Sequence, residues 1–390
     1  MSELFGRAEY DARLRRTRER MSAQGLDALV VVEPANLYYL TGYDAWSFYT
    51  PQALVVPLEG ELLLFTRAID APGALMTTSL AAEQVIGFPD DYVQQPGRHP
   101  FDVLAAELSE RVRPGARIGL ESDAYYFSSR ADQALRFGLS GVTFVDSGEL
   151  VNWVRVVKSA AELEAMRRAA RIVERVMATA IDAVDAGIRQ CDAAAEIMRA
   201  QARGTEEWGG DYPAIVPMMP SGPGTRTAHL TWSDAPFRQG EATVIELAAA
   251  HRHYHCPMAR TVFLGTPPAK LRRTSEAVME GLEAALDTVK PGVRCEEVEA
   301  AWRRTIARHG LEKPSRIGYS VGIGYPPDWG EHTLSLRPGD RTELAPGMTF
   351  HLMLGMWLDE IGLELSEVVQ VTDSGAECLA RFPRELAVKR

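Results

Sequence analysis

The stretch VIELAAAHRHYHCPMARTVFLG, Val244 to Gly265, decides how this chain is read. It opens as an apolar strand, meets one carboxylate at Glu246, carries His251, His253 and His255, and closes as a second apolar strand. Two apolar runs around a short polar connection predict a β-hairpin. Histidines beside an acid raise the question of a metal site. On one strand, three alternating histidines share a face. Here they fall at the connection between strands, where solvation or hydrogen bonding is the ordinary role.

Working outward, one further run has the same hairpin-like character, MTFHLMLGMWLDEIGLELSEVVQV. Upstream, Ser159 and Glu162 have the spacing of a capping box, and about five helical turns of apolar period follow. Before them the pattern differs. Glu9 to Gln24 predicts a charged amphipathic helix, LDALVVVE a buried strand, and QALVVPL with ELLLF a strand pair turned at Glu59-Gly60. Short strands at RIGLE and VTFVD complete an alternating strand–helix order, the mark of an α/β domain. The boundary is placed near 150–160. It separates an α/β domain, 1–155, from an α+β domain, 156–390. A chain of 390 residues suits two domains.

Composition narrows the classes. Hydrophobic residues are 46% and charged residues 24%, ordinary for a globular protein. A net charge of -11 argues against nucleic acid and anionic membranes as partners and suits a cationic or zwitterionic small molecule. The start MSELFGRAEYDARLRRTRERM lacks an apolar signal core, and no window has the roughly 18 apolar residues of a membrane span. Cys191, Cys256, Cys295 and Cys378 are scattered, which suits free thiols in a cytoplasmic protein.

Several motifs in one order carry a family resemblance: AHLTWSDAPFRQGEATVIELAAAHRHYHCPMARTVFLG, RIGYSVGIGYPPDWGE, LAPGMTFHLMLGMW and GLELSEVVQVT, with ANLYYLTGY in the first half. Together they resemble the creatinase/aminopeptidase P/prolidase family over nearly the whole chain. The resemblance implies an α+β fold, a pita-bread catalytic domain preceded by a smaller α/β creatinase-type domain. It implies, for the family's peptidases, two metal ions on two Asp, one His and two Glu. Those five positions are here Glu246, Pro257, Tyr319, Met353 and Ser366. One suitable ligand in five cannot hold two hard divalent ions. No metal and no cofactor are expected.

The resemblance further implies metal-free hydrolysis of a C–N bond, as in the creatinase branch, with Glu246 and His229 as the catalytic pair. Imidazole transfers protons near neutral pH; a capping or packing role is the structural alternative for His229. Glu364 stands where the family keeps an arginine. It is either an ordinary strand residue or the partner of a planar N–C–N cation, which pairs with a carboxylate bidentately. Aromatic faces suit the same cation. Tyr319, Trp232, His351 and the loop residues Trp46, Phe48 and Tyr49 are the substrate-binding candidates; Trp357 is a further aromatic, with core packing as its alternative. The loop aromatics are expected to act across a homodimer interface. The substrate expected is a cyclic amidine with a ring carboxylate, held by Arg226 or a loop amide. Other readings are a second metal-free C–N hydrolase such as a creatine amidinohydrolase, a metal-dependent peptidase or lyase of the same fold, and a non-catalytic binding module.

Overall fold

The computed structural model describes residues 4–390. The chain divides between Arg155 and Val156 into two compact units.

In the first unit, six short strands build one mixed sheet: β1 (Ala28–Val31), β2 (Ala53–Pro57), β3 (Leu63–Arg67), β4 (Val85–Phe88), β5 (Arg117–Leu120) and β6 (Thr143–Asp146), in the order β4-β3-β2-β1-β5-β6. The predicted first helix spans Arg7–Ala23, and the predicted strand pair is β2 with β3, antiparallel. Parallel pairing of β1 with β5 and of β5 with β6 forces crossovers, and the helices Pro100–Ser109 and Ser129–Gly138 supply them. Their apolar faces and one face of the sheet form a core around Val30, Phe65, Phe101 and Leu135. The aromatic stretch after β1 is in part helix, Pro34–Thr41, closed by Gly42 at φ +78°, a left-handed cap that glycine adopts without strain.

The second unit opens with helix Ala160–Ala183. Its capping box is present: Glu162 N–H donates to Ser159 Oγ and Ser159 N–H to the Glu162 carboxylate. The other Glu162 oxygen accepts from Tyr254 Oη at 2.9 Å, which ties the helix onto the sheet it covers. That sheet holds β7 (Ala242–His251), β8 (Tyr254–Leu264), β9 (Gly318–Tyr325), β10 (Asp328–Leu336), β11 (Thr349–Trp357), β12 (Gly362–Val371), β13 (Ala376–Cys378) and β14 (Ala387–Lys389). The path runs β13-β12-β11-β9-β8-β14, with β7 on β8 and β10 on β9. Every residue of β7, β8 and β12 is buried, so these strands read as continuous apolar runs rather than alternating ones.

The quoted hairpin is β7 and β8. Arg252 and His253 form its turn at φ +53° and +59°, the primed-turn geometry that matches strand twist. The three histidines therefore do not share one strand. His251 ends β7, His253 sits in the turn and His255 opens β8, and all three are buried. Burial replaces the solvated alternative with hydrogen bonding. The His255 ring donates from Nδ1 to His253 O and accepts at Nε2 from Ala214 N–H, which fixes it neutral; burial lowers it to about 3. His253 stacks on Tyr325 at 4.4 Å. The glycine-rich motif around Tyr319 is strand β9.

Candidate active site

Strand register brings the site together. Directly opposed residues on neighbouring strands point to one face. On β12 and β11, Glu364 pairs with Gly355, Ser366 with Met353 and Val368 with His351; on β9, Tyr319 pairs with His351. Strands β8 and β12 are laced by side chains. Ala259 N–H donates to Ser366 Oγ, and Thr261 Oγ1 both donates to Glu364 O and accepts from Glu364 N–H. The Arg260-Thr261 pair thus has a structural meaning. Arg260 grips Ser366 O, Pro383 O and the Glu367 carboxylate, while Thr261 holds the backbone of Glu364. Glu246 lies on β7 opposite Ala259, its own backbone bracketed by Met218.

The electrostatics follow from burial. Glu246 and Glu364 are 6% and 2% exposed. Burial raises the Glu246 carboxyl well above the usual range, the neighbouring Glu364 and Asp328 charges add to this, and Lys313 opposes it. Burial raises Glu364 to about 7, again against Lys313. Lys313 itself is lowered by burial to about 8, with both glutamates opposing. For Asp328, burial is outweighed by hydrogen bonds from His332 and the Gly330 N–H, and the carboxyl is held below its ordinary value. The centre therefore contains two coupled carboxyls that resist ionising together and one buried amine.

A second feature is a hydrogen-bond chain. Trp329 Nε1–H donates to Tyr319 Oη at 2.8 Å, and Tyr319 Oη lies 3.1 Å from His351 Nδ1. Tyr319 Oη can accept from Trp329 and also donate to His351 Nδ1, an arrangement in which the His351 proton sits on Nε2. Burial and the Arg316 charge lower His351 to about 3, so it stays neutral. Burial and the Glu246 charge push the Tyr319 phenol up.

Of the candidates named above, Glu246, Glu364, Tyr319 and His351 fall together in this electrostatic and hydrogen-bonded cluster. His229 sits in an exposed loop; its neighbour Leu230 O accepts from Met219 N–H, one residue from the Met218 that flanks Glu246. Trp232 is half-buried in the same loop. Trp46, Phe48 and Tyr49 belong to the first unit, where Trp46 and Tyr49 are exposed and Phe48 packs edge-on against Tyr126. Arg226 is exposed and spent on Pro223 O and Asp359 O. Lys313, Asp328 and Arg316 were not singled out from sequence. Lys313 lies in the connector before β9, and only its place just ahead of the Tyr319 motif hinted at it.

The five positions implied as metal ligands do not form a ligand set. Pro257 has no donor, Met353 offers a thioether, Ser366 Oγ is occupied by Ala259 N–H, and Tyr319 is engaged with Trp329 and His351. Among the described residues, no group of three or more His, Cys, Asp or Glu side chains is placed to hold a metal ion.

Residues 164–373 match the metallopeptidase family M24 model, and residues 13–157 match the creatinase/prolidase N-terminal domain. An ectoine hydrolase of Halomonas elongata is 44% identical over 395 residues, covering 99% of this chain and 98% of its own. A Sinorhizobium fredii protein described as an uncharacterized hydrolase/peptidase is 45% identical over 386 residues with the same coverage. The solved prolidase of Thermococcus sibiricus has a TM-score of 0.85 at 22% identity and covers 98% of this chain and 100% of its own, a likeness of fold. The two-domain architecture is the expected one, a creatinase-type domain followed by a pita-bread domain.

Proposed function

Because the chain belongs to metallopeptidase family M24, and its centre holds two buried carboxyls in place of a metal-ligand set, we propose that it opens the cyclic amidine ring of ectoine by hydrolysis, without a metal, to an N-acetylated diaminobutyrate. The coupled carboxyls Glu246 and Glu364 carry this reading. The similarity to an ectoine hydrolase supports it.

Ectoine joins an amidinium to a ring carboxylate. Glu364 receives the planar N–C–N cation, since a carboxylate pairs with it through two charge-assisted hydrogen bonds. A bound cation also opposes the burial that disfavours an ionised Glu246, so substrate entry favours its ionised form. Ionised Glu246 then either adds to the amidinium carbon, giving an adduct that water cleaves, or takes a proton from the water that adds. The balance is the same by both routes. Water oxygen ends on the amidinium carbon, one C–N bond breaks, and the departing nitrogen leaves with a proton supplied through His229. Tyr319 and His351 line the pocket, with Trp232 beside it. Trp46, Phe48 and Tyr49 close it from a second copy.

The test is ring opening by purified, chelator-treated protein, followed by NMR. Product formation with no stoichiometric Mn, Co, Zn or Fe by elemental analysis is the expected result. Activity lost with a chelator and restored by one of these metals overturns the metal-free reading. Tight binding without turnover makes the chain a binding module.

A further inference from the structure

Lys313 is 5% exposed, and its charge interacts with those of both Glu364 and Glu246. Its Nζ donates to Gly355 O at 3.0 Å and sits 4.4 Å over the Trp357 ring. Gly355 stands opposite Glu364 across β11 and β12. A side chain at Gly355 would collide with the Trp357 ring, so the glycine is what lets that ring fold back beneath the ammonium. Lys313 makes this one hydrogen bond and no direct ion pair with either glutamate, which leaves two of its three N–H groups uncommitted. Two other polar atoms there are buried without a partner, Glu364 Oε1 and Trp357 Nε1–H.

A buried cation and a buried carboxyl that do not touch are costly to hold unless something joins them. A ligand with both charges does so. Its cation satisfies Glu364, and its anion needs donors on the Lys313 side. Arg226, which with a loop amide is one of the two candidates for that anion, is turned to backbone carbonyls.

We propose that Lys313, seated on Trp357 and Gly355, is a substrate-binding residue that takes the ring carboxylate of the zwitterion, with Trp357 Nε1–H as a second donor. This rests on the reading that the substrate is a zwitterionic cyclic amidine. It makes the lysine the specificity element that separates such a substrate from a plain amidine.

The experiment is calorimetric binding of two probes, ectoine and the same ring without its carboxylate, 2-methyl-1,4,5,6-tetrahydropyrimidine. The proteins are wild type, Lys313→Met and Trp357→Phe, with melting curves to verify folding. Lys313→Met is expected to weaken ectoine by about 10- to 100-fold, the loss of one charged hydrogen-bonded pair. The carboxylate-free ring is expected to bind it as well as wild type or better, since a like charge is gone. Trp357→Phe keeps the platform and removes the N–H, and is expected to give a smaller loss confined to ectoine. Equal losses for both probes, or no loss for ectoine, overturn the assignment of Lys313. A wild-type protein that binds neither probe overturns the proposed function itself, and the assignment with it.

Discussion

Glu246 and Glu364 are where residue chemistry decides the outcome. Glu246→Ala is expected to abolish turnover while the fold persists, and His229→Ala to slow it by about 10²–10⁴-fold, as for a lost acid–base group. Intact-protein mass spectrometry after rapid quenching separates the two routes, since direct attack leaves an adduct at Glu246. Near-normal rates in Glu246→Ala rule out both. Glu364 predicts a pH dependence whose sign can be worked out. Its ordinary value is 4.5 and its folded value about 7. Between these the unfolded chain has released a proton that the folded chain keeps. Stability from this group is therefore full below 4.5 and lost as pH rises through about 7. Affinity for an amidinium runs the other way, rising over the same interval as the carboxylate ionises. Glu364→Gln is expected to flatten both trends and to weaken binding by about 1.5–3 kcal/mol above neutral pH. Titration calorimetry and melting curves from pH 5 to 8 measure them, and an unaltered binding profile removes Glu364 from the site.

Strands β9 and β10 show how one element makes room for charge. Lys158 and Glu331 form an ion pair at 2.5 Å, each side chain 1% exposed. A side chain at Gly322 would occupy their space, so the glycine-rich character of β9 is what admits the pair. Removing one partner strands a buried charge, which typically costs about 3–5 kcal/mol, whereas removing both is much milder. Lys158→Met is thus expected to lower stability by that amount, and Lys158→Met/Glu331→Gln to recover most of it. Urea unfolding of the two variants checks this; equal losses contradict the stranded-charge account. The same logic explains the hairpin histidines. Inside the fold His255 has a partner on each ring nitrogen. The sequence displays only the spacing, which is that of a ligand set as much as of a packed turn.

For the molecule as a whole, the assembly is the open quantity with the sharpest test. The aromatic loop of the first unit leaves Trp46 and Tyr49 more than half exposed. Exposed aromatics grouped in one loop suit a contact surface. A homodimer is expected by light scattering, with Trp46→Ala raising KM for ectoine. A monomer with full activity contradicts this. Among the described residues no helix is long and apolar enough to cross a membrane.

Two-domain order, the hairpin, the capping box and the loss of ligand chemistry at Pro257, Met353 and Ser366 are legible in the chain, because each depends on residue type at short spacing. The pairing of Glu246 with Glu364 was legible too, since both stand at marked positions in family motifs. Lys313 was not. It is brought beside Glu364 only because the connector before β9 returns to Gly355, and its uncommitted N–H groups exist only relative to strands more than forty residues away. Nor could the neutral state of His351 be read. It depends on burial and on the Arg316 charge, which the fold brings to it. Local pattern determines which elements form. Burial and opposition across strands decide which charges meet, and through them the chemistry of the site.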